Sequence, residues 1–95
     1  MSMKTVGFNK QGISQLPNDK PVVYKIQTGN GKNNYTGIAQ RGRVQDRIAE
    51  HLGGAKDAVP GAKVQIEQMP SIKDARTKES RVISQSKPKY NKQGK

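Results

Sequence analysis
The segment KESRVISQSKP, residues 78–88, places a carboxylate where a helix ordinarily carries an apolar side chain. On a helical reading from Ser71, Ile72, Ala75, Val82 and Ile83 form one stripe, and Glu79, four residues from both Ala75 and Ile83, falls on it. Residues 41–52 repeat the pattern: Arg47 and His51, spaced i and i+4, lie beside Ile48 and Leu52 and one turn beyond Val44. Tyr24 stands between Val22 and Ile26 on one strand face, and Tyr35 opens the next strand-like run. Each has an ordinary explanation when taken alone. An arginine or histidine snorkels at a helix rim, and a tyrosine on a strand face is core with its hydroxyl satisfied at the edge. His51 is the chain's single histidine, so a histidine-based metal centre is excluded.

Taken together, two tyrosines on neighbouring strands, an arginine and a histidine on one helix, and a carboxylate on the inner stripe of another suit a phosphodiester. Hydrolysis at phosphorus calls for a divalent ion on a hard oxygen ligand, and one carboxylate suffices because Mg²⁺ keeps most of its waters. It also calls for a cation that an arginine supplies bidentately, and for a group that takes a proton from water. An unpaired carboxylate on a buried stripe costs on the order of several kcal/mol. Held against a divalent ion, it is neutralised.

These residues need a scaffold, and composition bounds it. Ninety-five residues make one domain. Leu, Ile, Val and Phe number 17 and the net charge is +11, a balance that on composition alone leans toward disorder. The periodic spacing of the apolar residues, bounded by Gly, Pro, Ser and Asn, argues instead for a folded domain with frayed ends. The absence of cysteine excludes disulfides and thiolate metal sites. No run is apolar enough to span a bilayer, and MSMKTVGFNKQG lacks the apolar middle of a signal peptide, so a soluble cytoplasmic protein is expected. Eighteen Lys and Arg against seven Asp and Glu make a field for polyanions, nucleic acid first, and residues 73–95 carry eight basic side chains against two acidic ones.

Residues 1–20 read as a loosely structured arm, with one helical turn at 12–16 and a closing turn at 17–20. Residues 21–28, PVVYKIQT, read as a strand, GNGKNN as a loop and residues from Tyr35 as the second strand of a hairpin. A helix over 41–52 ends at Gly53 and Gly54, residues 53–61 form a loop, and AKVQIEQMP is a third strand ended by Pro70. Ser71 caps a final helix, with Asp74 near the capping-box position, that runs to Ser84 or Ser86 ahead of Pro88. The expected architecture is α/β in the α+β sense: a small three-stranded antiparallel sheet flanked by helices, one domain over 21–95 with a basic tail.

VVY at 22–24, YTG at 35–37, RIAEH at 47–51, KESRVI at 78–83 and KPKYN at 87–91 resemble, in order, the motifs of the GIY-YIG endonuclease domain. The resemblance covers residues 21–92 and implies the same sheet and helices. It further implies that Tyr24 and Tyr35 line an active site, with Tyr24 the better placed to activate or position water. Arg47 would stabilise the phosphate in the transition state, and His51 would sit near the nucleophile. Glu79 would hold one Mg²⁺ or Mn²⁺, and Asn91 would brace the site. A phenol of pKa about 10 is a poor base at neutral pH, so the site is expected to lower that value through nearby cations or the ion's water. The first motif lacks its glycine, the second has Thr36 in place of isoleucine, and the segment from Gly37 to Arg47 is slightly longer than usual. The longer segment makes Arg41 and Arg43 rivals of Arg47; spacing to His51 and the helix face select Arg47. Arg41, Arg43, Lys87, Lys89 and Lys92 are then candidates for contacts to backbone phosphates.

The leading expectation is a metal-dependent DNA endonuclease, acting as a monomer or weak dimer, away from membranes, with a separate protein supplying any target reading. The alternatives are a non-catalytic nucleic-acid-binding module of the same fold, and a ribosome-associated basic protein, which explains the charge but not the polar residues on apolar stripes.

Overall fold
The run Val22–Gln27 is buried on both of its faces, and the rest of the chain is laid against it. The structure, a computed structural model, describes residues 3–52 and 59–87. In chain order its elements are strand β1 (Met3–Gly7), helix α1 (Lys10–Ile13), strands β2 (Val22–Gln27) and β3 (Asn33–Ala39), helix α2 (Val44–Ala49), strand β4 (Lys63–Gln68) and helix α3 (Ile72–Ser86). The strands form one antiparallel sheet in the order β1-β4-β2-β3.

Alternation along β2 divides the core in two. Val22, Tyr24 and Ile26 join Val64, Ile66, Val44, Ile48, Ile13 and Leu16 on the face covered by α1 and α2. Val23 points the other way, packing with Met69, Ala75, Ile38 and Ile72 beneath α3. A strand with neighbours on both edges and helices on both faces has few solvent-facing positions, which is why PVVYKI reads as nearly continuously apolar.

The expected three-stranded sheet is corrected to four. The fourth strand is β1, within the segment read as an arm, and it pairs along β4 from Met3 opposite Glu67 to Gly7 opposite Lys63. Its only inward residue is Val6, half-buried, so MKTVG carries no alternation to betray it. The chain then turns into α1, where Asn9 Oδ1 accepts the Gly12 amide at 2.7 Å. Gly12 is required there, because a Cβ would stand 2.1 Å from the Gly7 carbonyl oxygen.

Helix α2 is shorter than the expected 41–52, and its start is secured from a distance. Arg43 at the N-cap makes no side-chain cap bond; Asn18 Oδ1 accepts the Gln45 amide at 3.1 Å instead, and the Asn18 carbonyl accepts the Gly42 amide at 2.7 Å. Gln45 Nε2 donates to the Leu16 carbonyl at 2.7 Å. Helix α3 matches its expected span. The Asp74 amide donates to Ser71 Oγ at 3.2 Å, and Lys87 ends the helix in the left-handed conformation at φ 46°. Among the described residues no helix is long and apolar enough to cross a membrane.

Because Leu16 is 2% exposed and its carbonyl anchors α2, residues 3–18 are integral to the domain. Leu16→Ala is expected to cost about 2–5 kcal/mol in urea unfolding at constant m-value, where a dispensable arm would leave the midpoint unchanged.

Candidate active site
Register brings the first group together. Tyr24 on β2 lies opposite Gly37 on β3, and Ile26 lies opposite Tyr35, so both tyrosines project from the same face of the sheet. Their ring centroids are 6.1 Å apart. Gly37 makes this possible: a Cβ there would stand 2.6 Å from the Tyr24 hydroxyl oxygen and 3.0 Å from Tyr35 Cε2. The hydroxyl of Tyr24 uses that gap to reach His51, forming a buried hydrogen bond of 2.8 Å with Nε2.

His51 follows α2 rather than lying within it. Its amide donates to the Ile48 carbonyl at 3.0 Å, a tightened last turn, and its carbonyl accepts the Val59 amide at 2.9 Å. The side chain is 2% exposed, 5.7 Å from the Tyr24 ring and 4.5 Å from the Tyr35 ring, centroid to centroid. A histidine snorkelling at a rim would be solvated. This one closes a three-ring cluster over β2 and β3.

Arg47, one turn earlier on α2, is half-buried and forms a close ion pair with Glu50, a residue the sequence reading left without a role. Burial works against its charge, but the hydrogen bond and the charge of Glu50 help to hold the guanidinium protonated above its ordinary value. Glu79 lies on α3, the helix of the opposite face. Both α2 and α3 contact β3, so this edge strand lies between the helices that carry Arg47 and Glu79. Ala75 and Val82 are the fully buried positions of the α3 stripe, while Glu79, Ile72 and Ile83 are half-buried, so the carboxylate reaches the rim rather than the interior. Partial desolvation pushes Glu79 above the usual carboxylate value, against the charges of Arg76 and Arg47. Arg76 was not anticipated; its place one turn before Glu79 is the signal that could have found it.

The expected lowering of the Tyr24 phenol is overturned. Burial raises it far above the ordinary range, the neighbouring Tyr35 phenol and the negative charges of Glu79 and Glu50 add to that, and Arg47 opposes them. Desolvation outweighs the single nearby cation, so Tyr24 is a neutral phenol. Arg41 and Arg43 are exposed in the turn leading into α2, and Lys87 is exposed at the end of α3. Asn91, Lys89 and Lys92 lie outside the described residues.

Glu79 makes no ion pair or hydrogen bond within the described residues, and these hold no group of three or more His, Cys, Asp or Glu side chains. A single, partly desolvated carboxylate is a hard oxygen donor suited to an ion that retains its waters, as Mg²⁺ does.

No family model and no curated protein matches the sequence. Solved structures do match the fold. The GIY-YIG N-terminal endonuclease domain of UvrC from Thermotoga maritima, bound to its catalytic divalent cation, magnesium, aligns with TM-score 0.67 at 22% identity over 87% of this chain and 94% of that one. A tyrosine-to-phenylalanine point mutant of the same domain, bound to the catalytic divalent cation, aligns with TM-score 0.68 at 21% identity over 88% and 94%. An asparagine-to-alanine point mutant aligns equally, with TM-score 0.68, 21% identity and the same coverage. The chain therefore has the fold of a GIY-YIG domain.

Gly37→Ala is expected to drive Tyr24 off His51 and to cost about 1–3 kcal/mol in chemical unfolding, with the near-ultraviolet dichroism of the tyrosines altered. Tyr24→Phe loses the His51 bond, costing about 1 kcal/mol at neutral pH. Because the folded-state phenol is raised, its contribution is full below the unfolded value of about 10 and declines as pH rises above it. The stability gap between parent and Tyr24→Phe should thus narrow in alkaline titration; a gap that widens there contradicts the direction assigned to Tyr24.

Proposed function
We propose that the protein is a divalent-metal-dependent endonuclease that hydrolyses DNA phosphodiester bonds at the Tyr24, Tyr35, Arg47, His51 and Glu79 cluster. The observation that carries this reading is the 2.8 Å hydrogen bond between the Tyr24 hydroxyl and His51 Nε2, set beside a charged arginine and a half-buried carboxylate. The likeness to endonuclease domains that bind a catalytic divalent cation supports it.

A neutral phenol does not take a proton on its own. Paired with His51 it can pass one on: the Tyr24 oxygen accepts a proton from the attacking water as its own proton moves to Nε2, which requires the imidazole tautomer with its hydrogen on Nδ1. Tyr35 packs at a tilt against the His51 ring, 4.5 Å between centroids, and would help to hold it in place. Arg47 leaves Glu50 for the scissile phosphate, where its planar fork meets two oxygens and stabilises the charge of the transition state. Glu79 would hold a Mg²⁺ or Mn²⁺ ion, which when bound neutralises charge on the phosphate and the departing oxygen. Arg41, Arg43 and the tail lysines Lys87, Lys89 and Lys92 would contact backbone phosphates, and a separate protein would supply any sequence reading. A monomer then cuts one strand per visit. The same surface without chemistry is the alternative, a nucleic-acid-binding module.

Supercoiled plasmid incubated with Mg²⁺ or Mn²⁺ separates the two. The parent should nick it, and Glu79→Ala and Arg47→Ala should each nick about 100-fold more slowly or worse while a salt-sensitive gel shift persists. A shift with no nicking in any divalent ion identifies the binding module. Independently of turnover, Mg²⁺ at ten times its Kd should stabilise the parent by about 1.4 kcal/mol and leave Glu79→Ala unchanged. Equal stabilisation of both proteins removes Glu79 as the ligand.

A further inference from the structure
The sheet has a second polar surface, on the face opposite the aromatic cluster. There α3 lies against β3 and β2 and covers Val23 and Ile38, leaving the side toward β4 open. Two consecutive rows of the pleat occupy the open part. One runs from Gln65 to Lys25, the next from Lys63 through Gln27 to Asn33. Lys25 and Lys63 are half-buried on interior strands, positions where sheets ordinarily place β-branched or aromatic side chains. Between this surface and the last turn of α3 runs a groove lined by Lys25, Gln27, Lys32, Asn33, Ser86 and Lys87.

Among the described residues the lining holds three ammonium groups, two amides and a hydroxyl, and no carboxylate. Within the described residues none of Lys25, Lys32, Lys63 and Lys87 is in an ion pair, while Glu67, the acid on this face, is taken up by Lys78 at 3.6 Å. Lysines confined to the last helical turn would be explained by the negative end of the α3 dipole. Lys25 and Lys32 come instead from the β2–β3 hairpin, and Lys87 is brought round by its left-handed turn, its amide donating to the Ile83 carbonyl at 2.8 Å.

We propose that this groove binds the phosphodiester backbone of nucleic acid, as a contact separate from the candidate active site that adds affinity without reading sequence. It rests on the reading of nucleic acid as the substrate, and names where substrate outside the scissile position is held. A concave, donor-lined trough accommodates a single file of phosphates. A planar anionic bilayer would meet only the rim, and the one large apolar side chain that stands exposed among the described residues, Met3, belongs to β1 at the far edge of the sheet. Amide and ammonium donors suit non-bridging oxygens.

The test uses the full chain in the presence of a chelator, so that cutting does not enter. Affinity for a labelled duplex is measured across a salt series for the parent, for the triple variant Lys25→Gln, Lys32→Gln, Lys87→Gln, and for the triple arginine variant at the same positions. The glutamine variant should bind more weakly, with the slope of log affinity against log salt reduced by about 2–3, as expected for three lost phosphate contacts at about 0.9 each. The arginine variant should keep the parent's slope, and matching thermal unfolding of all three proteins separates lost contacts from lost fold. Unchanged affinity and slope in the glutamine variant, or a parent that does not bind DNA, overturns the proposal. So does a glutamine variant that loses binding only to phosphatidylserine vesicles, which assigns the groove to lipid. A lysine-dependent shift from a parent that fails to nick plasmid sinks the endonuclease reading and leaves the groove standing.

Discussion
A phenol can reach across a neighbouring strand only where that strand withholds a side chain, and the absent Cβ at Gly37 is the constraint on which the candidate site depends. Any larger residue would occupy the 2.6 Å between that position and the Tyr24 oxygen. With the gap open, Tyr24 meets His51, His51 meets Tyr35, and three rings from β2, β3 and the end of α2 become one buried layer. No buried side-chain nitrogen or oxygen among the described residues lacks a partner. The cluster therefore contributes to the core, and the chemistry proposed for it would draw on the same contacts as stability.

Around this layer the charges are arranged with unequal exposure. Arg47 stands between two carboxylates, ion-paired with Glu50 on its own helix and acting at longer range on Glu79 across the edge strand. The Glu50 pair is more than a third exposed and correspondingly weak, so an incoming anion exchanges it at little cost. Glu79 is less solvated and has no such partner within the described residues. On the proposed reading the guanidinium is free to exchange partners, and the remaining anionic capacity lies at the rim.

How much of this could be read from the chain follows from which forces are local. The hairpin over residues 22–39 and the span of α3 were legible, because alternation, turn residues and the Ser71 cap are encoded within a few positions of where they act. Tyr24, Arg47, His51 and Glu79 stood out in the chain as polar residues set on apolar stripes, and of these contacts the structure gives the Tyr24–His51 hydrogen bond directly. β1 was not, since an edge strand with one half-buried side chain has no periodicity to show. The length of α2 was not, because its cap lies at Asn18. The direction of the Tyr24 shift was misjudged for the same reason: nearby cations can be counted in a sequence, whereas desolvation by Leu16, Ile48 and their neighbours is a property of the packed core.

The borrowed cap of α2 bears on the order of assembly. Six residues are far too few to hold a helix in water, and the acceptor for its leading amide lies 27 positions upstream. The helix that carries Arg47 and leads to His51 therefore acquires its shape only once residues 3–18 have docked on the sheet. Loop closure over that distance precedes any local reward, which ties competence of the site to the completion of folding rather than to an early nucleus. Loss of the amino-terminal segment through Asn18 would consequently unsettle α2 and the turn that places His51.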